Sequence, residues 1–100
     1  MAQDLSALTP PFARNFALAT TATAVTLPAN ARRIDICGSG TMLLAYAGTD
    51  GVALGSGIGY FISTSQCHHA DIARGARVLG GETIYLQAST GTPNAYLNVT

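Results

Sequence analysis

The run Cys67-His-His-Ala-Asp71 gathers a thiol, two imidazoles and a carboxylate within five residues, and all are zinc-competent groups. On a strand, Cys67, His69 and Asp71 share one face while His68 points to the other. Three ligands fall one short of the four in a closed structural zinc site. The one other thiol is Cys37, so a fourth ligand would have to come from elsewhere, for instance from copies around a three-fold axis. The expectation is no bound metal, with the histidines hydrogen-bonded to backbone.

Nucleophilic catalysis has less support. Both histidines lie in this one cluster. Ser63 and Ser65 lack the glycine elbow and an acid partner. Cys67 and His68, as neighbours on a strand, face opposite sides. The acids Asp4, Asp35, Asp50, Asp71 and Glu82 show no pair placed for glycoside cleavage. Gly55-Ser-Gly-Ile-Gly59 lacks the Lys and Ser/Thr that complete a phosphate loop. The chain is expected to have no catalytic residue and no cofactor, and not to be an enzyme.

Composition points to packing instead. Charged residues are 10% of the 100 and hydrophobic residues 48%, against roughly 25% charged in a typical soluble domain. A surface so poor in charge is easily desolvated and suits burial against neighbouring protein. No apolar run approaches the roughly 20 residues of a membrane-spanning helix. The five basic residues, Arg14, Arg32, Arg33, Arg74 and Arg77, are scattered and the formal net charge is zero, which argues against nucleic-acid binding. Cys37 and Cys67 could pair, but two cysteines are few for a disulfide framework. With no basic-then-apolar leader pattern at the N-terminus, a cytosolic origin and reduced thiols are expected.

The elements that must position these groups are strands. Val25 and Leu27 share a face in Ala24–Leu27. Ile34 and Ile36 alternate with Arg33 and Asp35. Ile84, Leu86 and Ala88 alternate with Thr83, Tyr85 and Gln87, and Ala95, Leu97 and Val99 with Tyr96 and Asn98. This period-two pattern marks strands that cover a core on one side. Met42–Ala47 and Ile58–Thr64 are apolar on both faces and read as central strands, with a partner covering the outer side. Turns are expected at Cys37–Gly40, Gly48–Gly51, Gly55–Gly57, Gly80-Gly81 and Ser89–Asn94. The spacing predicts an all-β fold over residues 16–100: a small two-sheet antiparallel sandwich of seven to nine strands, jelly-roll-like.

Residues 1–15 read as an extended N-terminal arm, because Pro10-Pro11 blocks a continuous helix. Its apolar anchors Leu5, Leu8 and Phe12, with Phe16 just beyond, look made to lie across the domain or a neighbour. A subunit interface is expected to draw on Arg14, Arg33, Tyr46, Tyr60, Tyr85 and Tyr96.

The run Thr20–Ala29 followed by Arg32–Ile36, with Gly80–Gln87 and the terminal Ala95–Thr100, resembles small β-sandwich proteins of tailed-bacteriophage virions. That resemblance implies a non-enzymatic structural subunit. Within the class, a capsid decoration or cement protein is favoured, made in the host cytoplasm, located in the virion and trimerising over major capsid protein subunits. A neck, tail or spike-base protein is the runner-up. A carbohydrate-binding sandwich that stacks its tyrosines on sugars is the alternative outside virions.

Overall fold

The computed structural model describes residues 2–55, 60–64, 66–71 and 83–100. Among them are nine strands and no helix: β1 (Gln3–Asp4), β2 (Phe12–Ala17), β3 (Thr23–Thr26), β4 (Arg33–Gly38), β5 (Met42–Ala45), β6 (Tyr60–Ile62), β7 (Cys67–Asp71), β8 (Thr83–Ala88) and β9 (Asn94–Val99). They form a β-sandwich with one sheet in the order β1-β3-β8-β5-β6 and the other in the order β2-β9-β4-β7. All pairs are antiparallel except β1 with β3.

The pairing is nested. β5 pairs with β6, β4 with β7, β3 with β8 and β2 with β9, as if one long hairpin had been rolled up. From β2 to β9 each connection passes from one sheet to the other, except the one joining β5 and β6. The edge strands β6 and β7 are therefore neighbours in sequence on opposite sheets.

Alternation explains the core. Val25, Met42, Leu44, Ile62, Ile84, Leu86 and Ala88 line the inner face of one sheet, and Ile34, Ile36, Ala95, Leu97 and Val99 that of the other. All are buried. Fully burying one such side chain stabilises the fold by about 1.5–3 kcal/mol, so this interior is the main force holding the sheets together. The expected inward positions of β3, β4, β8 and β9 are among these residues, except Leu27, which is buried just beyond the end of β3.

Close packing leaves no room at the turn between β4 and β5. A Cβ added at Gly38 would lie 2.7 Å from Met42 Sδ and 2.9 Å from the Gly40 carbonyl oxygen. The Met42 side chain is flexible but the carbonyl is not. Gly38→Ala is therefore expected to destabilise the domain by about 1–3 kcal/mol, the usual cost of overpacking, read as a lower urea midpoint with unchanged m.

Two expectations are corrected here. The boundary of the arm at Asn15 falls inside β2, and the segment joins both sheets: β1 lies beside β3 and β2 beside β9. Leu5 is buried, and Leu8, Phe12 and Phe16 pack against the core. Next, β6 is an edge strand, not a central one, with Tyr60 54% and Phe61 66% exposed.

The outer face of β8 is covered in part by the chain's own loop. There Leu54 N–H donates to Gln87 Oε1 at 2.7 Å, and Gly48 packs against Leu54 and the Tyr85 ring. The loop is pinned to the start of β3. Gly51 N–H donates to the Ala22 carbonyl at 2.8 Å, Ala22 N–H donates to the Val52 carbonyl at 3.1 Å, and Asp50 Oδ1 accepts from Ala24 N–H at 2.9 Å. Gly51, at φ +79°, provides the left-handed residue this tight turn requires.

The expected strand residues Ile58 and Gly59 and the Gly80-Gly81 turn lie outside the described residues. So do Arg74, Arg77, Ser65, Glu82 and most of the Gly55–Gly59 run.

Candidate functional site

Strand alternation places the Cys67–Asp71 run on two surfaces. β7 pairs with β4 so that Cys67 is opposite Cys37, His68 opposite Ile36, His69 opposite Asp35 and Asp71 opposite Arg33. Ile36 is buried in the core, so His68 stands on the inner face. The Cys37–Cys67 and Asp35–His69 pairs stand on the outer face. The Asp71 side chain lies outside the described residues.

On the outer face Cys37 and Cys67 are joined in a disulfide, with Cα atoms 4.4 Å apart. This corrects the expectation of reduced, free thiols. The physical reason is register: directly opposed residues at a non-hydrogen-bonded position sit about 4.5 Å apart, within the span a disulfide bridges. On the next rung His69 Nδ1–H donates to Asp35 Oδ1, and Arg33 Nε–H donates to the same oxygen at 3.1 Å. Burial works to raise the Asp35 carboxyl. The hydrogen bonds from His69 and Arg33, with their charge, outweigh it, and the group sits below the ordinary carboxylate value. The same rows continue across β9 with Tyr96 beside Cys37 and Asn98 beside Asp35.

On the inner side the two sheet edges meet through aromatic rings. His68 stacks on Tyr60 with ring centroids 5.6 Å apart, and Tyr60 meets Tyr46 edge-to-face at 5.8 Å. The Tyr46 hydroxyl is hydrogen-bonded with His68 Nε2 at 3.2 Å. Burial, followed by the charge of His69, lowers the His68 pKa and so favours the neutral ring. This trio links the β6 and β7 edges, while Tyr60 itself stays 54% exposed. Phe61, on the outer side of the same edge strand, stays exposed.

The expected interface residues are therefore dispersed. Tyr60 and Tyr96 are exposed, Tyr46 and Tyr85 are half-buried, and Arg33 is engaged with Asp35 on the outer face. Arg14 is exposed on the far edge strand β2, opposite Leu97. Sequence reasoning missed Cys37 as the partner of Cys67 and Asp35 as the partner of His69. The signal was present: set antiparallel, Arg33-Ile-Asp-Ile-Cys37 and Cys67-His-His-Ala-Asp71 match Arg with Asp, Asp with His and Cys with Cys on one face. Comparison with protein-family models, with curated proteins and with solved structures finds no match.

Proposed function

We propose that this chain is a non-enzymatic structural subunit of a phage particle, a capsid decoration or cement protein that bridges and stabilises major capsid subunits. The observation that carries this reading is the edge at β6. An exposed strand edge is normally protected by charge, proline or a covering segment, yet Tyr60-Phe-Ile62 has neither charge nor proline and leaves Tyr60 and Phe61 in solvent. In a chain with only 10% charged residues, such an edge suits burial against another subunit. The nested pairing and the alternation between sheets support reading the sandwich as a jelly roll, which is built from two Greek keys.

Assembly is through this edge into a homo-oligomer, with a trimer the favoured state, in the virion after synthesis in the host cytoplasm. A disulfide fits that location, since virion surfaces meet oxidising surroundings. Light scattering on the purified protein is expected to give a closed oligomer, and Phe61→Ser to shift it toward monomer with unchanged circular dichroism. Cosedimentation with capsids is expected to weaken in the same variant. A wild-type monomer at tens of micromolar that also ignores capsids would sink the proposal. Binding to a glycan array instead would favour the carbohydrate reading.

A further inference from the structure

Among the described residues, no three His, Cys, Asp or Glu side chains come together as a metal site in the oxidised chain. Reduction changes the donor set. Opening the Cys37–Cys67 bond leaves two thiols on directly opposed positions with Cα atoms 4.4 Å apart. The neighbouring outer rung of the same strand pair is Asp35 with His69. The fold has thus drawn both cysteines of the chain, one of its two histidines and an acid onto adjacent rungs of one face.

We propose that this face is a redox-gated zinc site, occupied when the disulfide is reduced. Cys37 and Cys67 supply two thiolates. His69 supplies the third ligand through Nε2, because its Nδ1–H is held by Asp35. A carboxylate on the non-ligating nitrogen fixes the tautomer and ring orientation of a metal-binding histidine and raises its basicity. Arg33 holds that carboxylate in turn through Nε at 3.1 Å. Asp35 is thus a positioning residue, and the fourth coordination position is open to water. Two thiolates and an imidazole are ligands that zinc takes in four-coordinate geometry.

The chemistry balances. A dithiol, or two molecules of a monothiol, opens the Cys37–Cys67 bond by thiol–disulfide exchange and is itself oxidised to a disulfide. The protein gains two electrons and two protons. Zinc then displaces the two thiol protons, and the thiolates neutralise the cation. Either state ties β7 to β4: a covalent bond in oxidising surroundings, a metal in reducing ones.

The test uses the full chain, reduced without oxygen by a phosphine and titrated with cobalt(II). One equivalent is expected to bind with thiolate-to-cobalt charge-transfer absorption and the intense ligand-field bands of tetrahedral cobalt. Added zinc should displace it, and the oxidised chain should show neither feature. Cys67→Ser should abolish the charge-transfer band, His69→Ala should weaken binding at least tenfold, and Asp35→Asn should weaken it by about tenfold or more. Circular dichroism on each variant checks that the sheets remain. Less than one equivalent bound by the reduced chain, or unchanged affinity in His69→Ala, would overturn the proposal. So would a reduced chain that loses its β signal and does not regain it with zinc.

Discussion

Deletion of Met1–Asn15 is expected to abolish cooperative folding. The cut removes β1 and most of β2 (Phe12–Ala17), leaving β3 and β9 as new sheet edges. It takes Leu5 out of the core and Leu8 and Phe12 off it. Full burial of such a side chain is worth about 1.5–3 kcal/mol, so one fully and two partly buried residues together contribute on the order of 5 kcal/mol. A domain of this size has only about 5–15 kcal/mol in total. Backbone pairing is lost as well, including the Leu5 N–H bond to the Thr26 carbonyl at 2.9 Å.

Urea titration followed by circular dichroism is the measurement. The truncated chain should show no cooperative transition, or one displaced to very low urea. Leu5→Ala alone should cost about 2–5 kcal/mol, as for other buried leucines. If the truncated chain unfolds cooperatively near the full-length midpoint, the segment is a detachable arm after all. The sheet pairing of β1 and β2 would then have no energetic weight.

Strands with a simple two-residue alternation are legible in the amino-acid sequence itself. Ile34 and Ile36, then Ile84, Leu86 and Ala88, then Ala95, Leu97 and Val99, are apolar positions that point one way, and all are buried. The exceptions have specific causes. β2 places Arg14 between Phe12 and Phe16 on the side that meets Leu97, which spoils the pattern. An edge strand tolerates this because a long arginine can run its charged head out to water. β7 has His68 at an inner position, opposite Ile36, so no apolar stripe announces it and its histidines attract a ligand reading instead.

β6 and β5 are both apolar on two faces, yet one lies at an edge and the other in the interior. Composition alone does not separate an edge strand from an interior one. The cover over β8 is likewise a tertiary matter. Gln87 is buried and accepts a hydrogen bond from Leu54, thirty-three residues away in the chain. The Cys37–Cys67 pair was hidden for a different reason. Two thiols with a separation of 30 do not announce a pair by themselves, and the match of Arg33–Cys37 with Cys67–Asp71 shows only when the two runs are set antiparallel with Cys37 opposite Cys67.

Removal of that disulfide is expected to lower stability by about 3.5 kcal/mol. The bond closes a loop with a sequence separation of 30, and the loop-closure entropy taken from the unfolded chain gives a figure of that order. For a 100-residue domain the melting temperature should then fall by roughly 15–25 °C. The effect lies mainly in the unfolded state, so native circular dichroism should hardly change in Cys37→Ala/Cys67→Ala. The m value should rise, because an unfolded chain without the cross-link exposes more surface. The work is done with a chelator present, so that metal cannot replace the bond in the reduced wild-type chain. Intact mass in the absence of reductant should be two protons below that of the reduced chain. A double variant as stable as wild type would mean that β7 is held to β4 by its ladder and the Asp35–His69–Arg33 contacts alone. A mass matching free thiols in protein kept under air would show that the two sulfurs do not meet at all.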